Sequence, residues 1–278
     1  MAARFEGSDA PAPSPQLAEA ILSHLEDPDD RVRAEAVSTL ARLPGSETSR
    51  SEWVQAVGAR LEDDHPEVRA AAAAALGDLF REGSPIPAAL RTRLKAGLHS
   101  SDEGFAFEAA YALATMREAE ARPYLQERAT LSERRTDVIE ALARLGDAAA
   151  LPTLAYLRKR WSTSWSDRLA ATAASAALGD SSALEALRKA LRSWRVEVRT
   201  HAAALAGQRQ LEALTSDLLT LSQRRKDVAR EAAIEALLRM EPGDIALPFQ
   251  IWSEDSELSP QIRQIAQARR DARPEPQF

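Results

Sequence analysis

Residues 25–43, LEDPDDRVRAEAVSTLARL, set a leucine before six polar or turn-forming residues, then a valine and an alanine-rich apolar stripe. The phrase returns as LEDDHPEVRAAAAAALGDL over 61–79. Val32, Ala36, Val37, Leu40 and Leu43 fall on one helical face, while Arg33, Glu35, Ser38 and Arg42 fall elsewhere. Before each leucine lies another amphipathic segment, such as QLAEAILSHL or SALEALRKAL. The unit is therefore helix, short turn, helix.

The same pair of anchors occurs at Leu25 and Val32, Leu61 and Val68, Leu98 and Phe105, Leu131 and Val138, Leu191 and Val198, and Leu221 and Val228. A seventh copy lies between the fourth and fifth of these. Its helices are ALPTLAYLRKRW and SDRLAATAASAALG, with Ser166 as the expected N-cap and Gly179 as the C-terminal stop. Its turn is expanded, and Ala170 takes the place of Val32. Helical pairs at this spacing bury their apolar faces only against their neighbours, as in a solenoid. After the last copy, Ser259 and Pro260 predict one final helix to about Arg270, covering the end of the array.

The expected fold is all-α: a right-handed α-solenoid of about seven helix pairs with a C-terminal capping helix. The expected divisions are a disordered leader over 1–16, the array over 17–241, and the cap and tail over 242–278. The strings DPDDRVRAEAVSTL and DDHPEVRAAAAAAL resemble the short HEAT-like repeats first named from phycocyanobilin lyases. The resemblance covers about residues 17–241 and is weakest in the fourth and fifth copies. It implies an aspartate–arginine ladder between adjacent repeats, with Asp27, Arg33, Asp63, Arg69 and Arg199 at the matching positions. It implies the fold and leaves the activity open, because such arrays serve scaffolds, inhibitors, lyases and DNA-repair enzymes alike.

Aromatic residues make up only 5% of the chain while alanine is abundant, which favours close-packed helices over a sheet. There is no cysteine, so disulfides, thiolate metal sites and cysteine nucleophiles are excluded. No run of about 18 apolar residues is present, and a soluble cytoplasmic protein, monomeric alone, is the expectation. His24, His65, His99 and His201 form no HExxH pair and no close His/Asp cluster along the sequence. No phosphate-cradling glycine loop or nucleophile elbow occurs. The reading is a chain without catalytic residues, cofactor or metal.

Charge and tryptophan supply what further information there is. The net charge is −6, but it is segregated. The turns EDPDDR, EDDHPE and HSSDEG are acidic, whereas Arg158–Arg168, RSWRVE and SQRRKD are basic. Acidic residues before a helix have a structural role in capping and in meeting the helix dipole. Basic residues there do not, and segregated charge can orient a partner. Trp161 and Trp165 lie in the expanded turn, and Trp194 stands where the first copy has Pro28. Tryptophan and arginine dominate interface hot spots.

The expected partner-binding set is therefore Arg158, Arg160, Trp161, Trp165, Arg168, Trp194 and Arg195. Asp27, Asp29, Asp30, Asp63, Asp64 and Glu67 form an acidic edge, while Trp53 and Trp252 are expected to be packing residues. The functional expectation is a non-catalytic protein-binding scaffold, of which an inhibitor or immunity protein occluding a toxin or enzyme is one form. The alternatives are a nucleic-acid-binding module in the basic half and a chromophore lyase or chaperone-like helper. Alkylpurine DNA glycosylases also use a HEAT-like array with tryptophan, arginine and aspartate. Trp161, Trp165, Asp167, Trp194 and Arg199 do not reproduce their spacing.

Overall fold

The computed structural model describes residues 15–81, 83–131, 133–240 and 248–272. Among them there is no strand, and the chain divides into two compact units, Met1–Ala150 and Leu151–Phe278. The leader expected over 1–16 lies, for residues 1–14, outside the described residues, as do 241–247 and 273–278 of the tail.

The first unit contains four helix pairs: α1 Pro15–Ser23 with α2 Asp30–Arg42, α3 Glu47–Ala59 with α4 Pro66–Arg81, α5 Ala88–Gly97 with α6 Glu103–Thr115, and α7 Ala121–Arg128 with α8 Arg135–Leu145. The second helices form the spine, α2 on α4, α4 on α6 and α6 on α8. Alanine makes this approach possible. Gly77 tightens it further, because a Cβ there would come within 3.2 Å of the Ala112 Cα. Trp53 of α3 is 2% exposed and fills the core, the packing role expected of it.

The second unit contains α9 Leu151–Lys159 with α10 Trp165–Ala177, α11 Ser181–Leu191 with α12 Val196–Gln208, and α13 Thr215–Ser222 with α14 Arg230–Met240. A final pair follows, α15 Phe249–Glu254 and α16 Pro260–Ala272. Its spine is α10 on α12 and α12 on α14, with α16 closing on α14. At Gly207 a Cβ would stand 2.7 Å from the Ala236 Cα, so α12 and α14 meet backbone to backbone. Gly179 ends α10 at φ +92°, where Asp180 N–H donates to Ser175 O and Gly179 N–H to Ala176 O. That is the left-handed helix stop glycine permits.

Several sequence expectations need correction. The cap is two helices, because Phe249, Trp252 and Leu258 bury the short α15 beneath α16. Val228 is 79% exposed and is no anchor; the turn before α14 is longer, and Ala229 takes the buried position. Leu131 is likewise exposed, and Ala129 is buried in its stead. The N-cap of α10 is Ser164, whose Oγ accepts from Asp167 N–H at 3.0 Å; Ser166 lies inside the helix.

Candidate binding surface on the turns

In the first two repeats the turn between the helices begins with an aspartate that caps the chain reversal. In the first unit Asp27 accepts from Asp29 N–H at 2.9 Å, and Asp63 accepts from His65 N–H at 3.0 Å. An arginine one turn into the following helix then holds the turn from behind. Arg33 donates to Asp27 O at 2.9 Å and grips Asp63 of the next repeat through two nitrogens, at 2.9 and 2.7 Å. Arg69 repeats the move, donating to Asp63 O at 2.8 Å and approaching Asp102 at 3.7 Å. The Arg33 guanidinium holds the Asp63 carboxyl below its ordinary range, against burial. These residues carry the first unit's structure, as the ladder implied.

The remaining acidic residues divide between capping and solvent. Asp29 caps α2, accepting from Arg31 N–H at 2.9 Å, and the Arg31 side chain lowers its pKa. Asp64 and Glu67 are exposed. Asp30 lies 3.2 Å from Nδ1 of His65, a juxtaposition hidden by 35 residues of separation in the sequence. The expectation of no close His/Asp pair is therefore corrected.

The ladder is interrupted in the middle of the chain, where Ala106 and Ile139 stand at the arginine position of the third and fourth copies. Ala171 stands where Arg33 stands in the first copy, and Ser193 stands where Asp63 stands in the second. Between α10 and α12 both halves of the pair are thus replaced together. The ladder resumes with Arg199, which donates to Asp227 at 2.7 Å, and with Arg230, which donates to Asp255. Burial raises the pKa of Asp227, but the Arg199 and Ala229 donors outweigh it and the carboxyl is held low.

The turns around this gap carry the tryptophans. Arg199 donates to Ser193 O at 2.7 Å and Trp194 O at 3.0 Å, fixing the backbone while the Trp194 indole stays 90% exposed. In the expanded turn Thr163 is buried and Trp161 is 90% exposed. Trp165, the first residue of α10, is 39% exposed. Its ring receives the Arg195 guanidinium at 5.6 Å and the edge of His201 at 5.7 Å. Burial lowers the pKa of His201, with Asp167 opposing, so the imidazole tends toward the neutral form. The structure thus joins Trp165 to Arg195 across two repeats and adds His201, which no local spacing connects to them.

The other predicted residues have different places. Arg158 points into the fold and pairs with Asp180 at 2.7 Å. It belongs to a second set of links, in which a cation on one first helix meets an acid at the start of the next. Lys95 with Glu118 and Arg122 with Asp147 are the counterparts in the first unit, and Arg188 with Asp217 in the second. Sequence reasoning missed these links because their spacing varies. Arg160 lies over Tyr156 and donates to Ser162 at 2.8 Å. Arg168 is half-buried, and its carbonyl accepts from the Thr172 hydroxyl. Arg224, Arg225 and Lys226 extend the positive charge in the turn before α14, beside Arg199 and Asp227.

Comparison with known proteins bears on the fold. The family of HEAT repeats matches residues 18–92 and 54–143. Residues 18–143 thus match HEAT repeats. The family match ends at 143, before the link that Ala171 and Ser193 leave out. A lyase structure, the complex of CpcE and CpcF of phycocyanin lyase from Nostoc sp. PCC7120, is similar over 96% of this chain and 99% of that one, with a TM-score of 0.59 and 19% identity. Human deoxyhypusine hydroxylase in complex with glycerol matches over 92% and 95%, with a TM-score of 0.36 and 19% identity. An engineered protein matches over 81% and 96%, with a TM-score of 0.33 and 20% identity. No curated protein matches the sequence. None of the described helices is long and apolar enough to cross a membrane.

Proposed function

We propose that this HEAT array is a non-catalytic scaffold that binds another protein through the tryptophan-bearing turns of its second unit. One observation carries the reading: Trp161 and Trp194 each leave 90% of their surface in solvent, on turns whose backbones are hydrogen-bonded in place. An indole removed from water by a partner contributes a large apolar area, and a fixed backbone reduces the entropy lost on docking. Arg195 and the cations of the following turn would orient an acidic partner face and speed its encounter. The similar Nostoc structure is itself a complex of two proteins, which supports the interaction reading without assigning this chain a lyase activity. Within the proposal, an inhibitor or immunity protein that occludes its partner is the narrower form.

The test is to capture partners of the full chain by crosslinking, then measure affinity and Tm for wild type, Trp161→Ala and Trp194→Ala. A hot-spot tryptophan costs about 2 kcal/mol or more of binding when truncated, about a thirtyfold loss, with Tm unchanged. Unchanged affinity in both variants would remove the site assignment. A salt titration distinguishes nucleic acid, whose phosphate contacts give a steep linear dependence of log affinity on log salt. Such a slope with an oligonucleotide, together with no protein partner, would replace the scaffold reading.

A further inference from the structure

We infer that Asp30, His65 and Glu67 form a binding site for a divalent transition-metal cation of the zinc type, shared by the first two repeats. The three residues offer one imidazole nitrogen and two carboxylate oxygens within 4.8 Å of one another. Nδ1 of His65 is 3.2 Å from an Asp30 oxygen, yet it is shielded from solvent and makes no hydrogen bond of acceptable geometry. A ring nitrogen close to a carboxylate but misaligned with it is satisfied when both ligate one ion. Mixed nitrogen and oxygen donors suit zinc, cobalt or nickel, whereas calcium and magnesium favour sets of oxygens alone. Three protein ligands with Glu67 at the surface leave a coordination position for water.

The ligands are held from behind. Asp63 accepts from His65 N–H, and Asp63 is itself gripped by both Arg33 nitrogens, so the ladder sets the direction of the imidazole. Pro66 at the first position of α4 fixes the backbone next to it, and Glu67 follows on the same helix. Arg31 and Arg33, the cations in the first turn of α2, are engaged by Asp29 and Asp63. The two helix starts repel a cation mildly, an effect that two carboxylates offset.

The test titrates the full chain with Zn2+ by calorimetry and with Co2+ by visible absorption, no other ligand being present. One equivalent is expected to bind, with a cobalt ligand-field band. His65→Ala should weaken binding at least about tenfold, since even residues that only support metal ligands cost that much. Glu67→Gln, at an exposed position, should weaken it too and serves if His65→Ala does not fold. His24→Ala and His99→Ala should bind as wild type. Absence of one-equivalent binding, or equal binding by wild type, His65→Ala and Glu67→Gln, would overturn the site.

Discussion

The first unit contains one tryptophan and buries it; the second contains four and leaves two of them almost wholly in water. The same repeat backbone is used in opposite ways. Turns of the first unit direct their side chains to each other, Arg33 to Asp63 and Arg69 toward Asp102. The turns before α10 and α12 present indoles, and the link between these two helices is missing, although Arg199 of α12 still reaches forward to Asp227. The difference teaches that a turn can be fixed through its backbone, as Arg199 fixes Ser193 and Trp194, while its side chain stays in solvent.

The largest effect expected is at the buried indoles. Trp53→Ala in the first unit and Trp252→Ala in the cap of the second should each cost about 3–5 kcal/mol, measured by urea unfolding. Next is Gly207→Ala, which forces a methyl onto the Ala236 backbone and should cost about 1–3 kcal/mol. A loss below a few tenths would mean that α12 and α14 separate easily, and the second unit would then be the looser of the two.

The ladder gives a smaller effect that depends on pH. The folded pKa of Asp63 is depressed, so its stabilising contribution is complete above the unfolded value of about 3.9 and is lost as pH falls through the lower folded value. Asp63→Asn should therefore lower Tm at neutral pH and flatten the decline of Tm below about pH 4. The smallest effect is the one that sharpens the comparison most. Trp161→Ala and Trp194→Ala should change stability by no more than about 0.5 kcal/mol, as at exposed positions generally. A large loss at either would make it a packing residue and erase the contrast between the units.

The helix pairs were legible because their apolar stripes follow a helical period and their turns recur. Trp53 and Trp252 could be assigned to packing from their places in helix starts or connectors, away from the turns. Val228 misled because the pattern fits a valine seven residues after Leu221, whereas the longer turn puts Ala229 inside. Ser166 misled because Ser164, two residues earlier, supplies the same cap. Arg158 looked like part of a basic turn, and only three-dimensional placement shows its bond to Asp180. His65 with Asp30, and His201 with Trp165, are contacts between repeats, and no local spacing encodes them.

The arginine–aspartate link has a bearing on how such an array can lengthen. A repeat that donates a guanidinium forward and accepts one behind fits any neighbour of the same kind, so early copies can be duplicated in tandem with their joints intact. The joint between the fifth and sixth copies is different, with Ala171 and Ser193 where the donor and acceptor would stand, although the sixth still donates forward through Arg199. Copying the sixth alone would set Arg199 opposite Ser193, which carries no charge to meet it. Duplication with the joint intact is therefore open at the first two copies, which have both aspartate and arginine, and not at the sixth.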